Sequence, residues 1–509
     1  MMIVNVMISI IAMVVSIFSL IPTVVFAYEL PDLGRSSVGA FTPSEEKKLG
    51  KEFIEEVRRS AQVVEDPIIG DYIQKLGQRL ANNNANAMGR KFRFFVVQDP
   101  TVNAFAGPDG YIGVNTGLIL ATRSESELAA VLAHEIAHVS QHHLERSFKE
   151  VKGLNIPMAA ALVAALLIGP KGGSATGNAA TGVLMGAMAG GIQHMISFTR
   201  ANEAEADRVG IATLYQAGFD VTAMSGFFAR MQRHNLEYKD QIPPYLRTHP
   251  VTTERIADAD NRVAQYHQHS IKRAALVAFS SHYSLVRARL QYFAHPDNLS
   301  AMRYFKMKLD NIGKKVQQDV ALNNIDAMRY GYVLALASDH QWLAAGSNID
   351  VLIKRNPHEV IYQMTKAQIQ IATKQLDAAI TTLKSAHVAQ PNYYPLSMQY
   401  AQALTKAQQP QAAQVILKQQ LALPFRSSSL TEPSTYATLA DNAAKSGKLA
   451  DAYLYRANAL KIAGYYRDAN VLLKQALRLP NLNPNMKALL QHELAVMKSL
   501  EREESKLGV

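Results

Sequence analysis

His134-Glu135-Ile136-Ala137-His138 places two imidazoles four residues apart with a carboxylate beside the first. On a helix this spacing puts both histidines on one face, a turn apart, so their ring nitrogens can converge on a single ion. A divalent metal held by two imidazoles and one more protein ligand keeps a position open for water. It lowers the pKa of that water towards neutrality and lets a neighbouring carboxylate take the proton. Zinc suits the pattern, because the chain has no cysteine and any metal must rest on histidine and carboxylate. Glu135 is the candidate base. The apolar flanks Ala129-Ala130-Val131-Leu132 and Ile136, Ala137, Val139 predict that the helix lies inside a core.

A third ligand does not follow at once, since no H-x-x-G-x-x-H continuation is present. His142 falls four residues after His138 but more than two turns from His134, so His142 and His143 read as polar surface residues. The better source is Asn202-Glu203-Ala204-Glu205-Ala206-Asp207, which opens a second helical pattern. Glu203 and Asp207 share a face there, so that one can bind the metal while the other holds a histidine N–H; Glu205 points elsewhere. The competing reading of Glu203 is a charge favoured by the helix N-terminus.

These residues need a scaffold. A helix from Glu45 to about Gln62 and two further helical patterns to about Asn83 come first. The period then falls to two through Phe92, Phe94 and Val96, and again through Tyr111, Gly113 and Asn115 after the turn Gly107-Pro108-Asp109-Gly110, which predicts a small sheet among helices. Residues 124–146 return to helical spacing around the histidine motif. Residues 153–191 are rich in Ala, Gly, Leu and Met and break at Gly169-Pro170, as either a buried helical hairpin or an apolar lid that touches membrane or a partner.

From about residue 320 a period of 34 appears, with alanines at Ala345, Ala379 and Ala413, at Ala367 and Ala401, and prolines at Pro357 and Pro391. Small residues at fixed places let paired helices cross closely, and proline ends the second helix of a pair. This spacing resembles tetratricopeptide repeats, about four units whose curved inner face would bind a partner.

At 509 residues the chain has room for roughly two to four units. Residues 1–27, apolar and ending Val25-Phe26-Ala27, read as a secretory signal peptide, with a retained membrane anchor as the alternative because no Lys or Arg precedes the apolar run. The net charge of +11 is scattered, which fits a solvated basic surface rather than nucleic-acid binding and leaves attraction to an anionic membrane surface open. Expected segments are therefore a signal at 1–27, a metallopeptidase domain at 28–268 with the apolar insertion 153–191, a helical linker at 269–320 and tetratricopeptide-like repeats at 321–500.

The pattern His134-Glu135-x-x-His138 followed by Glu203-x-x-x-Asp207 resembles the zinc peptidases that include HtpX and the CAAX prenyl endopeptidases. The likeness is strongest to periplasmic members with a C-terminal tetratricopeptide domain. It rests on Leu30-Pro31-Asp32-Leu33-Gly34, Val102-Asn103-Ala104-Phe105-Ala106, Ile196-Ser197-Phe198-Thr199, Thr248-His249-Pro250 and the repeats. The resemblance implies a mainly helical α+β domain of the gluzincin type followed by an all-α superhelix. It implies one zinc ion per chain on His134, His138 and Glu203, with Glu135 as general base and acid and Asp207 as the orienting carboxylate. Asn103, Ala104, Phe105 and Ala106 would form the edge that pairs with an extended substrate. His249 would stabilise the oxyanion or fill the open metal position; Arg247 and Arg255 are weaker candidates for oxyanion support.

It further implies an exported endopeptidase and chaperone that degrades misfolded or stalled outer-membrane proteins and promotes assembly of correct ones. Its partners would be those proteins and the barrel-assembly machinery, with possible peripheral association with the membrane. The alternative is an assembly adaptor whose peptidase is largely latent.

Overall fold

The structure, a computed structural model, describes residues 41–148, 159, 163, 200–237, 243–277, 281–312, 320–423 and 432–506. The signal segment, Leu30–Gly34, Ile196–Thr199 and nearly all of the apolar stretch 153–191 lie outside them. No helix of the described residues is long and apolar enough to cross a membrane.

Helix α1, Pro43–Ser60, opens on a capping box in which Thr42 and Glu45 satisfy each other's ends. One helix follows where two helical patterns are expected: α2, Pro67–Asn82, starts on Asp66, whose carboxylate accepts from the Ile68 and Ile69 amides. Three strands come next, β1 Arg93–Val97, β2 Ala104–Ala106 and β3 Tyr111–Asn115. The sheet order is β1-β3-β2, with β3 parallel to β1 and antiparallel to β2. Phe92 falls just before the first strand. Phe105 faces Gly113 across the β2–β3 pair, and a Cβ at Gly113 would collide with the Phe105 ring.

The short helix α3, Thr116–Ala121, leads to α4, Glu125–Ser140, on which every residue from Glu127 to Ser140 is buried. Burial on all sides explains its nearly uniform apolar character. Its N-terminus is pinned: Ser124 accepts from the Glu127 amide, and Arg230 meets the Glu127 carboxylate with two bonds of 2.6 Å. Helicity through residue 146 is not continuous. Gln141 ends α4, His142 takes a left-handed φ of 57°, and α5 begins anew at His143–Phe148. Helices α6, Arg200–Ala217, α7, Thr222–Glu237, α8, Pro244–Thr248, and α9, Thr253–Val277, complete the surroundings of α4.

The rest of the described chain is helical: α10 Ser281–Phe293, α11 Asn298–Ile312, α12 Val320–Ser338, α13 Trp342–Arg355, α14 Val360–Ala372, α15 Leu376–Ala389, α16 Tyr394–Lys406, α17 Pro410–Ala422, α18 Glu432–Lys445, α19 Leu449–Ala463, α20 Tyr466–Ala476 and α21 Pro484–Lys506. Helices α13, α15 and α17 start 34 residues apart, and so do α14 and α16. The alanines read from the sequence at Ala345, Ala379, Ala413, Ala367 and Ala401 are all fully buried. His340, Lys374 and Gln408 repeat a left-handed residue at the same spacing in the turns before these helices.

This array does not hang on a free linker. Arg289 binds Asp66 at the start of α2 (2.7 Å) and the Tyr330 hydroxyl (2.8 Å), Arg287 donates to the Leu120 carbonyl (2.9 Å), and His282 meets Glu359 (3.1 Å). Lys75 of α2 sits over the Tyr393 ring, and Lys51 of α1 donates to the Gly464 carbonyl. Polar contacts thus join the first two helices to repeat helices hundreds of residues away.

Candidate metal centre

Helices α4 and α6 cross closely because position 210 is glycine: a Cβ there would sit 3.3 Å from the His134 amide nitrogen and 3.0 Å from Met224 Cε. That approach lets the first turns of α6 reach the histidine motif. His134 Nε2 lies 3.0 Å from His138 Nε2, and Glu203 Oε1 lies 3.3 Å from His138 Nε2. His249, just after α8, joins them with Nδ1 at 2.9 Å from Glu203 Oε1 and 3.3 Å from His134 Nε2. All four residues are buried, and their ligand atoms lie within 4.8 Å of one another.

These spacings fit a metal. Four ligands at about 2.0–2.1 Å in a tetrahedron stand about 3.3 Å apart; four of the edges here run from 2.9 to 3.3 Å. Nitrogen donors and a carboxylate form a set that divalent first-row ions accept. His134, His138, Glu203 and His249 could therefore hold one metal ion.

The charged groups of the cluster act on one another. Burial works against a proton on His134, but Glu203 and Asp207 outweigh it and hold the pKa up at about 10. Burial drives His138 well down, with His134 and His249 adding to the effect. Burial alone would raise Glu203, yet His249 and His134 keep its carboxyl well below the usual range. Glu135 is raised chiefly by burial. The Ala106 amide and His249, whose Nε2 is 3.6 Å away, act in the opposite direction. A buried carboxylate beside a metal cluster is placed to accept a proton.

Asp207 Oδ1 lies 3.0 Å from His134 Nδ1. It is gripped from behind by Arg255, whose Nε and Nη2 each donate to it at 2.8 Å. Arg255 Nη1 also lies 2.7 Å from Glu203 Oε2 and donates to the Pro250 carbonyl at 2.7 Å. Arg255, expected as a weak oxyanion candidate, is instead the guanidinium that holds both acidic residues of α6. Arg247 is exposed.

One further expectation changes. His143 is fully buried, not at the surface. The break at His142 turns the start of α5 back towards α4, so that His143 Nδ1 lies 2.7 Å from His138 Nδ1. Burial drives the His143 pKa down to about 4. Glu205 stays off the face that Glu203 and Asp207 share, as expected, and its carboxylate meets His143 Nε2 at 3.0 Å and Arg146 at 3.1 Å. The pattern C-terminal to the motif carried no signal for this, because it is set by the loop break. His142, by contrast, is half-exposed, as expected.

Asn103, Ala104, Phe105 and Ala106 lie on and just before β2, an edge of the sheet with β3 on one side, and α4 packs against this strand. Their side chains are buried, so what this edge offers is backbone. Tyr245 adds a ring 4.9 Å from His249.

A fold of this kind with a buried H-E-x-x-H cluster defines a metallopeptidase. The sequence pattern of peptidase family M48 matches residues 70–263, and the chain belongs to that family. It is similar to the beta-barrel assembly-enhancing protease of Yersinia pestis, 30% identical over 450 residues that make up 88% of this chain and 87% of that one. The protein of the same name from Escherichia coli strain K12 is 31% identical over 392 residues, 76% of this chain and 75% of that one. A Vibrio cholerae protein provisionally given that name is 37% identical over 338 residues, 66% of this chain and 65% of that one, a little under two thirds of its length.

Proposed function

We propose that this chain is an exported zinc endopeptidase and chaperone that acts on misfolded or stalled outer-membrane proteins in the periplasm. The observation that carries the reading is the buried set His134, His138, Glu203 and His249 with the Glu135 carboxylate beside it. The names of the relatives support the setting, since each is called a beta-barrel assembly-enhancing protease. Residues 1–27 would be the export signal, and the helices from α12 onward would be tetratricopeptide-type repeats that dock substrate or the barrel-assembly machinery.

Zinc on His134, His138 and Glu203 would polarise a peptide carbonyl and make water nucleophilic near neutral pH. Glu135, the carboxylate beside the cluster, would be the proton acceptor and would deliver the proton to the leaving amine. Asp207 orients His134, and Arg255 holds Asp207 in place. The edge of β2 receives the extended substrate as an added strand. His249 would take the fourth ligand place, and so would keep the site closed until the segment after α8 moved.

That filled corner also favours a second reading, an assembly adaptor whose peptidase is mostly latent. His249→Ala separates the roles of the fourth corner: metal retained with raised cleavage of unfolded protein supports closure, whereas complete loss of metal makes His249 a required ligand and ends the gating idea. In cells, a Glu135→Gln chain that still supports outer-membrane protein assembly at the wild-type level would favour the adaptor.

A further inference from the structure

His138 and His143 are five residues apart, which on an unbroken helix leaves them about 140° apart around the axis. Their Nδ1 atoms nevertheless lie 2.7 Å from each other. The left-handed His142 makes this possible, and its conformation is held from a distance: Arg90 Nη2 bonds the His142 ring at 2.9 Å, while Nη1 donates to the Val139 carbonyl at 3.2 Å. Glu205, which meets His143 Nε2 at 3.0 Å, is fixed in turn by Arg146, and Arg146 also donates to Asn202. The break, the ring contact and the carboxylate form one chain of contacts from α6 back to α4.

We propose that His143 and Glu205 are a positioning pair for the metal ligand His138, an inference that rests on the metal-site reading above. A carboxylate only accepts, so Glu205 takes the Nε2–H of a neutral His143 and leaves Nδ1 of that ring as an acceptor. His143 Nδ1 then accepts the Nδ1–H of His138. This fixes the His138 tautomer and presents its unprotonated Nε2 to the metal. The same helix thus serves both motif histidines: Asp207 faces Nδ1 of His134 directly, and Glu205 reaches Nδ1 of His138 through one intervening imidazole. Residues 203, 205 and 207 divide the work as ligand, relayed orienter and direct orienter.

The test is zinc affinity of the full chain, measured by competition with a chromophoric chelator, for wild type, His143→Ala, His143→Gln, Glu205→Ala and His142→Ala. His143→Ala should bind one zinc per chain at saturation with affinity weakened roughly 10–100-fold. His143→Gln should recover most of the loss, because its amide can accept from His138 and donate to Glu205. Glu205→Ala should fall between, and His142→Ala should also weaken binding, because the break that brings His143 to His138 is held through the His142 ring. Nitrogen-15 spectra of the zinc-loaded chain should show the His138 Nδ1 proton, shifted when His143 is replaced. Equal affinity for wild type and His143→Ala, each with one zinc, overturns the positioning role and leaves the metal site standing. Should His143→Ala fail to fold, His143→Gln decides: wild-type affinity supports the relay, and a loss as deep as that of Glu203→Ala overturns it. Wild-type protein that binds no zinc removes the metal reading itself.

Discussion

Arg255→Ala removes the guanidinium that contacts both Asp207 and Glu203. Arg255 is 7% exposed, with two 2.8 Å bonds to Asp207, a 2.7 Å contact to Glu203 and Phe228 under its guanidinium at 4.9 Å. Deleting one partner of a buried ion pair costs about 3–5 kcal/mol, mostly because the other charge stays buried without its partner. For a melting unit of roughly 200–250 residues each kcal/mol shifts the midpoint by about 2 °C, so the drop should be about 6–10 °C. Scanning calorimetry of the metal-free wild type and variant measures it. Arg255→Lys keeps the charge but loses the two-pronged grip, and should fall between. A metal-free Arg255→Ala that melts within about 1 °C of wild type would refute the argument that this guanidinium stabilises the acidic pair.

Gly210→Ala should cost about 1–3 kcal/mol in urea unfolding, because its Cβ would press on Met224 and on the backbone at His134; a neutral result would mean that α4 and α6 separate freely. Tyr245→Phe removes a buried hydroxyl that has no hydrogen bond among the described residues. Metal-free stability should hold or rise by up to about 1 kcal/mol, and a clear loss in the same assay would reveal a partner. His282 is pulled down by burial but raised on balance by Glu359. Its contribution is therefore complete below the unfolded histidine pKa of about 6.5 and fades as pH rises through the higher folded value. The stability gap between wild type and His282→Gln should be larger at pH 5.5 than at pH 8.5, and an unchanged gap would remove Glu359 as the cause.

What could be read from the chain alone follows from how local each feature is. His134 and His138 are related by one helical turn, and Glu203 and Asp207 by another, so their shared faces were legible from spacing. Strands β1 and β3 announced themselves through alternation, whereas the three-residue β2 is too short to show a period, and the 34-residue repeat showed through alanines that must be small wherever helices cross. His143 was misread because spacing rules assume that a helix continues, whereas the break at His142 is held by Arg90, 52 residues earlier. Arg255 meets Asp207 across 48 residues and an intervening helix pair, and Arg289 meets Asp66 across 223. No periodicity encodes such pairings. The packing of the repeat helices against α1 and α2 was illegible for the same reason.

The central claim is that one metal ion on α4 and α6 serves a peptidase whose base is Glu135. Its most direct test is zinc content and casein cleavage measured on the same purified samples of wild type and Glu135→Gln. One zinc per chain is expected in both, with cleavage by wild type, or by His249→Ala where the wild-type site is closed, and none once Glu135→Gln is introduced into either background. Cleavage by Glu135→Gln at the wild-type rate, or wild-type cleavage that survives complete removal of zinc, would contradict it.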